Sequence, residues 1–221
     1  MKDFFSKIFT PIGSFFKKNS DVINPVVVLS VICLVISLAL AATNLITADK
    51  IAEINKKNSE AAMAALLPSE KYEEVNLAAA LPDTSSYNPA DAQLFIAYEG
   101  DAVKGYIVTN ATKGYGGDVK VMTAISPDKK VMGVNILSVA DETPGLGQNV
   151  TKENFYSQFI GKSENIILVK NGAMADKNEI NAVTGATITS TAVKNSVNDA
   201  FICLNEYINA TADTDNAEEV Q

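Results

Sequence analysis

One uncharged, apolar stretch limits what this chain can fold into more than any other feature. No charged residue occurs from Val22 to Ala48, and the most apolar part, PVVVLSVICLVISLALAATNLI, runs from Pro25 to Ile46. A helix needs about 20 consecutive apolar residues to cross the hydrocarbon part of a bilayer. The sequence therefore predicts a transmembrane helix over residues 25–46, preceded by an N-terminal segment of residues 1–24.

The charges before this stretch predict its orientation. The segment contains two aspartates and four lysines, Lys2, Lys7, Lys17 and Lys18. Lysine-rich flanks stay on the cytoplasmic side, so we expect a single-pass protein of the cell (inner) membrane, held in the lipid bilayer with its N-terminus in the cytoplasm and its remainder outside. A signal peptide cleaved near Ala39-Leu40-Ala41 is the alternative, and the long segment before the apolar run favours a retained anchor.

The side-chain chemistry of the chain excludes several function classes. None of the 221 residues is histidine, all 18 basic residues are lysine, and the net charge is −8. Catalysis by Ser-His-Asp or Cys-His groups is therefore absent, and the acidic balance argues against a nucleic-acid partner. Cys33 and Cys203 alone cannot form a zinc or iron–sulfur site. We expect no metal site and no catalytic residue.

The spacing of apolar residues changes after the anchor. Residues 47–89 read as a stalk helix that Pro68 ends, followed by a linker. From Leu94 onward, apolar and polar residues alternate in four short runs, LFIAY, VKGYIVT, VKVMTAI and VMGVNILSV, which turn residues separate. This pattern is typical of an antiparallel meander.

Helices and one short strand are predicted after the meander. TKENFYSQFIG has a helical pattern with Thr151 as N-cap, and IILV is a short strand before a polar loop. The last helical pattern has a single apolar stripe, formed by Val193, Val197, Phe201, Leu204 and Ile208. The predicted fold is α+β: a single N-terminal transmembrane helix, then a small antiparallel sheet packed by helices over residues 90–209. A disordered acidic tail is expected over residues 210–221.

A hydroxyl-rich stretch, VTGATITST, lies directly before this closing helix. The first N–H groups of a helix lack partners within the helix and carry partial positive charge, so a helix start binds anions. Gly185 and Ala186 allow close approach of the backbone, and Thr187 and Thr189 lie beside the helix start. The start of the closing helix is thus one candidate site for a phosphate. The simpler alternative is that Ser190 or Thr189 only caps the helix.

Two further motifs accompany this stretch. They are GYGG, from Gly114 to Gly117, and ADETPGLGQ, from Ala140 to Gln148, directly after the last meander strand. The order GYGG, ETPGLG, TGATITS behind one membrane helix resembles the FMN-binding domain family, and within it the G subunits of Rnf electron transport complexes. The C subunits of the sodium-pumping NADH:quinone reductase are related. The resemblance covers roughly residues 20–208.

This resemblance implies a covalent FMN. In the family, the threonine that closes the GAT triplet, here Thr187, carries FMN through a phosphoester that a separate flavin transferase forms from FAD. The other residues expected at the phosphate are Thr184, Gly185, Ala186, Thr189 and Ser190. By similarity, the residues bordering the isoalloxazine ring are Glu142, Thr143, Gly145 and Leu146. The chain departs from the family in having Asn181 where Asp is frequent, and in lacking a histidine before ETPGLG.

The resemblance also implies a function. The chain is expected to be an electron-relay subunit of an ion-translocating ferredoxin:NAD oxidoreductase, with the other membrane subunits as partners and no independent turnover. The alternatives are the C subunit of the sodium-pumping quinone reductase, a stand-alone anchored flavoprotein that reduces external acceptors, and an anchored binding module without redox chemistry.

Overall fold

The apolar stretch and the stalk form one continuous helix. The computed structural model describes residues 20–81, 92–170, 172 and 176–218. Its first helix, α1, runs over Ser20–Leu66. The chain divides into two compact units, Met1–Lys57 and Asn58–Gln221, so the last turns of α1 belong to the second unit. Residues 1–19 of the predicted N-terminal segment lie outside the described residues.

Between Val26 and Ile46, α1 exposes apolar side chains at nearly every position and therefore on every side. Such a helix has no polar face to turn toward water, which is typical of a membrane span. It is the one helix, within the described part of the chain, that is long and apolar enough to cross a membrane. Thr43 and Thr47 donate their hydroxyl groups to carbonyl oxygens one turn earlier, each at 2.9 Å. Their polar groups are therefore satisfied without water.

The second unit is built on a five-stranded antiparallel sheet whose strands follow one another in chain order. The strands are β1 (Lys71–Val75), β2 (Ala92–Glu99), β3 (Ala102–Lys113), β4 (Asp118–Ile125) and β5 (Val131–Ser138). The four runs predicted to form a meander are confirmed as β2 to β5. The sequence pattern misses β1 because KYEEV is mostly polar and its side chains are largely exposed at the sheet edge.

The remaining elements are short, apart from the last helix. They are α2 (Leu77–Ala80), α3 (Glu153–Tyr156), β6 (Ile167–Val169), β7 (Glu179–Asn181) and α4 (Thr187–Glu218). The strand predicted at IILV is confirmed as β6. It pairs in parallel with β7, which lies where the sequence predicts a loop. Three residues are too few for an alternating pattern to show.

The two faces of the sheet are covered by different helices. Neighbouring residues of a strand point to opposite faces, and in β3 Val108 packs toward α4 while Ile107 packs toward the end of α1. The cluster on the second face, called the α1 core, consists of Ala62, Met63, Leu67, Ala97, Ile107, Met122 and Ala124. The end of the stalk is therefore part of the domain that the sequence predicts to begin at residue 90.

The segment TKENFYSQFIG folds differently from the predicted helix. Only α3 is helical, and it has a single turn with short 3₁₀ segments on either side. Lys152 occupies the N-cap position in place of Thr151, whose hydroxyl donates to the carbonyl of Gln148 at 2.8 Å. Phe155 and Phe159 are both buried and meet edge to face, with ring centroids 5.6 Å apart. This packing of both rings into the core accompanies the break of the regular helix.

The closing helix is longer than the pattern indicates. It begins at Thr187 and continues to Glu218, whereas the sequence predicts a tail from residue 210. No glycine or proline interrupts residues 209–218, so no helix-breaking residue ends α4 at the last apolar position. Residues 219–221 lie outside the described part of the chain.

The α1 core makes a testable contribution to stability. Leu67 is 1% exposed, whereas Ile202 on α4 is 45% exposed. Leu67→Ala should lower the free energy of unfolding by about 2–5 kcal/mol, because it leaves a cavity in a packed cluster. The control Ile202→Ala should change it by about 0.5 kcal/mol or less. Urea unfolding of the purified variants, followed by circular dichroism, measures both. If both variants changed the free energy of unfolding by the same small amount, the assignment of the stalk end to the domain would be contradicted.

Candidate functional site

The fold brings the three sequence motifs to one end of the sheet. In an antiparallel meander, β3 ends where β4 begins and where β5 ends. GYGG forms the turn from β3 to β4. A hydrogen bond of 2.8 Å from the N–H of Gly114 to the carbonyl of Gly117 closes this turn. ETPGLG begins shortly after β5 ends, and one of its side chains contacts both the GYGG turn and the first turn of α4.

That side chain is Glu142, which is 3% exposed. Its Oε1 accepts hydrogen bonds from the backbone N–H groups of Tyr115 at 2.8 Å and Gly116 at 3.1 Å. Its Oε2 accepts a hydrogen bond from the hydroxyl of Thr189 at 2.6 Å. One carboxylate therefore joins the GYGG turn, the ETPGLG segment and the start of α4.

These hydrogen bonds also determine the charge of Glu142. Burial raises the pKa of its carboxyl group, because the ionised form loses hydration. Donation from the Thr189 hydroxyl and from backbone N–H groups of the GYGG turn more than offsets this effect, so the pKa lies below its ordinary value of 4.5. The cavity wall consequently carries a buried negative charge at neutral pH.

Several glycines make room for the Glu142 carboxylate because they have no side chain. A Cβ atom on Gly114 would collide with Oε1 of Glu142, and one on Gly147 would collide with Oε2. A Cβ on Gly116 would overlap the backbone carbonyl of Asp141. None of these three glycines has a positive φ. Glycine is therefore required there by the close approach of other groups, and not by an unusual backbone conformation.

A cavity of about 490 Å³ opens beside Glu142. Sites for small molecules typically have volumes of about 300–1,000 Å³. The described residues that line it are Tyr115, Glu142, Thr143, Leu146, Gly147, Gly185, Ala186, Thr187, Ile188 and Thr189. The exposed side chains of Tyr115, Leu146 and Ile188 make one part of it apolar, while the start of α4 makes another part polar.

The polar part is the first turn of α4. Because the helix begins at Thr187, the first hydrogen bond of its ladder runs from the N–H of Ser190 to the carbonyl of Ala186, at 2.9 Å. The N–H groups before Ser190 have no carbonyl four residues back within the helix. They carry the partial positive charge of a helix N-terminus, so this turn can hold an anion such as a phosphate.

Most hydroxyl groups of VTGATITST are engaged within the protein. The hydroxyl of Thr189 donates to the carboxylate described above, and that of Thr191 donates to the carbonyl of Thr187 at 2.8 Å. Oγ of Ser190 accepts a hydrogen bond from the N–H of Val183 at 3.0 Å. The alternative in which Ser190 or Thr189 caps the helix is wrong, since both lie inside its first turn. Thr187 itself is half-buried and lines the cavity.

Most of the residues predicted to bind the cofactor line this cavity. Three do not: Thr184 and Gly145 are exposed, and Ser190 is buried within the first turn of α4. The predicted residues that do line it are Glu142, Thr143, Leu146, Gly185, Ala186, Thr187 and Thr189. Their roles toward a cofactor stay predictions, but the motifs identify one site.

The sequence alone predicts no site role for Gly147 or Ile188, and it leaves open whether Tyr115 stacks on a cofactor or packs on the sheet; the structure places all three on the cavity wall. Tyr115 and Ile188 each have a feature that points to the site. Tyr115 is an aromatic residue between glycines in a turn, and it is 71% exposed. Ile188 is an apolar residue in a run of hydroxyls, and it is 54% exposed. Large apolar side chains left in solvent beside a cavity are frequently part of a binding surface.

Comparisons with known proteins agree with this geometry. Residues 114–201 match the FMN-binding domain family, and this range contains all the lining residues. The fold and the cavity thus define an FMN-binding domain. The chain is 37% identical over 179 residues to the G subunit of the Na⁺-translocating ferredoxin:NAD⁺ oxidoreductase complex of Acetobacterium woodii, covering 77% of this chain and 86% of that protein. The chain belongs to the family of G subunits of Rnf-type ferredoxin:NAD oxidoreductase complexes.

A second relative and two solved structures extend the comparison. The G subunit of the proton-translocating ferredoxin:NAD⁺ oxidoreductase complex of Clostridium ljungdahlii is 38% identical over 120 residues, covering 53% of this chain and 64% of that protein. The structure of NqrC from Shewanella oneidensis has a TM-score of 0.50 and 19% identity, covering 64% of this chain and 84% of that one. The C subunit of the Na⁺-translocating NADH-quinone reductase from Parabacteroides distasonis has a TM-score of 0.51 and 20% identity, covering 68% and 82%. These structures share the predicted α+β fold.

The tight packing of the GYGG turn can be tested at Gly116. Gly116→Ala places a methyl group against the backbone of Asp141, which has no flexible end to move aside. We expect it to lower the free energy of unfolding by about 1–3 kcal/mol and to speed hydrogen exchange at the Tyr115 amide. Gly172→Ala is a matched control, because the nearest atom of the described residues to a Cβ there is the carbonyl oxygen of Lys170, at 4.0 Å. Slow exchange retained in Gly116→Ala would contradict the described packing.

The ionised carboxylate should also make stability depend on pH. The pKa of Glu142 is lowered in the folded chain, so its ionised form stabilises the fold above the unfolded-state pKa. This contribution is lost as the pH falls through the lower, folded-state pKa. The difference in unfolding free energy between wild type and Glu142→Gln should therefore be largest near neutral pH and shrink below about pH 4.5. Denaturant unfolding across this range measures it, and a difference independent of pH would refute the assignment.

Proposed function

We propose that this protein carries FMN covalently on Thr187 and relays electrons within a membrane-bound ferredoxin:NAD oxidoreductase complex. The observation that carries the proposal is the position of Thr187. It stands at the first turn of α4, on the wall of a cavity inside a domain of the FMN-binding family. The relatives named above are G subunits of such complexes.

The residues present fit an esterified phosphate. The first turn of α4 offers N–H donors and partial positive charge to the remaining phosphate oxygens. Gly185 has a φ of 77°, and a Cβ on it would come within 2.9 Å of Cδ2 of Leu146. A side chain at position 185 would therefore contact Leu146 where the TGAT segment lies close to the ETPGLG segment.

The residues also fit an isoalloxazine ring. Tyr115, Leu146 and Ile188 provide apolar surface on the cavity wall, which suits a flat, largely apolar ring system. Bound there, FMN supplies one- and two-electron transfer, and the protein supplies position and electrostatics. The part of this chain is to hold the ring in a fixed place between an electron donor and an acceptor.

The attachment is an exchange at phosphorus. Oγ of Thr187 forms a new P–O bond to the FMN phosphate of FAD, the P–O–P bond of FAD breaks, and AMP leaves while the hydroxyl proton is released. A flavin transferase carries out this step during maturation. The neighbouring hydroxyls of Thr189, Ser190 and Thr191 are held in hydrogen bonds, which favours Thr187 as the acceptor.

The proposal includes a location and partners. The lysines before the apolar stretch favour a cytoplasmic N-terminus, so the FMN-binding domain is expected on the other side of the cell membrane, beside the remaining membrane subunits. One relative is named for sodium translocation and the other for proton translocation. Because both share this domain, we assign ion movement to the other subunits and electron transfer to this one.

The test is the intact mass of the membrane-extracted protein after co-expression with an active flavin transferase. Wild type should gain the mass of FMN less one water and should fluoresce in a denaturing gel. Thr187→Ala should gain nothing, because the acceptor oxygen is gone. Thr191→Ala is the matched control: its hydroxyl donates to the helix backbone, so it should be modified like wild type.

Two results would contradict the proposal. An adduct on Thr187→Ala would move the attachment to another residue. Wild type that stays unmodified, although the same transferase modifies a known substrate, would favour an anchored binding module whose helix start holds a free anion. Both results would leave the fold and the family assignment unchanged.

A further inference from the structure

The cavity has an unusual charge balance. Glu142 is the single charged side chain among the described residues that line it, and no lysine is among them. The ion pairs within the described part of the chain join Lys50, Lys57, Lys71 and Lys104 to other glutamates. The negative charge of Glu142 is therefore met by hydrogen-bond donors and not by a cation.

Hydrogen bonds hold this charge in place without cancelling it. The donors are neutral groups, two backbone N–H groups and one hydroxyl, so the net charge of the cluster is still −1. At 3% exposure, little water screens it from the cavity, and charges interact more strongly in such surroundings than in bulk water. Any group in the cavity that becomes more negative is consequently disfavoured.

We propose that Glu142 keeps the reduction potential of the bound flavin low, because its charge opposes the gain of electrons by the ring. This inference rests on the proposed function, since it requires a flavin in the cavity. Glu142 then has two separable effects: its hydrogen bonds position the GYGG turn, and its charge adjusts the electron affinity of the cofactor. A low potential would suit a relay that must pass electrons onward.

Glu142→Gln separates the two effects. The glutamine oxygen can accept the hydrogen bonds of Tyr115 and Gly116 as Oε1 does now. Its NH₂ group can donate to Oγ of Thr189, whose hydroxyl proton is free to rotate away. The variant therefore removes the charge and retains the contacts. Hydrogen exchange at the Tyr115 amide shows whether the turn has stayed in place.

Two further variants complete the test. Thr189→Val removes the hydroxyl that contributes most to lowering the pKa of Glu142, so its potential is measured above neutral pH, where the carboxylate is ionised. There the less shielded charge should act more strongly on the ring and lower the potential. Asp141→Asn removes a negative charge one residue away that is exposed to solvent. Solvent and salt screen exposed charges, so this matched control should shift the potential far less than Glu142→Gln.

The experiment is a spectroelectrochemical titration of the full-length protein with its flavin attached. We expect Glu142→Gln to favour the reduced flavin at least tenfold, which is about 30 mV for a two-electron couple. Thr189→Val should lie at or below the wild-type potential. Flavin absorbance reports the titration, and flavin content is measured on each sample beforehand.

The outcomes are distinguishable. An unchanged or lower potential in Glu142→Gln, with slow exchange at Tyr115, overturns this inference and leaves the proposed function standing. If Glu142→Gln does not retain flavin, Thr189→Val provides the test instead. A reduction potential of this variant clearly above that of the wild type would contradict the proposed effect of the Glu142 charge. A shift in Asp141→Asn as large as that in Glu142→Gln also overturns it. If the wild-type protein carries no flavin, the proposed function is contradicted, and this inference is contradicted with it.

Discussion

The candidate site depends on one buried carboxylate. Three segments that are far apart in sequence meet at Glu142, and each contributes donors to it or glycines that make room for it. An ionised group at this depth is stable only because hydrogen bonds replace its lost hydration. Removing the donors would leave an uncompensated charge, so the turn, the loop and the helix start stabilise one another. The cavity is the space left between them.

The sheet and the helices place this carboxylate. The antiparallel meander brings the β3–β4 turn beside the end of β5, and packing of α4 on the sheet brings its first turn to the same end. The opposite face is covered by the end of α1. The candidate site thus lies at the rim of a sheet that is covered on both faces, where loops can be shaped by contacts without disturbing the core.

Much of this arrangement could be predicted from the sequence, and the omissions have physical reasons. The apolar stretch, the meander and the stripe on α4 repeat over enough residues to show a period, and TGATITS identifies a helix start. β1 and β7 are short and polar, so no period shows. The break around Phe155 accompanies the packing of two rings, and the role of Gly114 depends on a carboxylate distant in sequence. Contacts of this kind arise only in three dimensions.

The engagement of the hydroxyls around Thr187 has a consequence for maturation. In an unfolded chain, the hydroxyls of VTGATITST are chemically similar, and an enzyme would have to distinguish them by sequence alone. In the folded domain, Thr189, Ser190 and Thr191 already bind protein groups, and Thr187 faces the cavity. If attachment follows folding, the fold itself selects the acceptor. A covalent FMN on Thr187, as proposed above, would then mark the chains that have folded correctly.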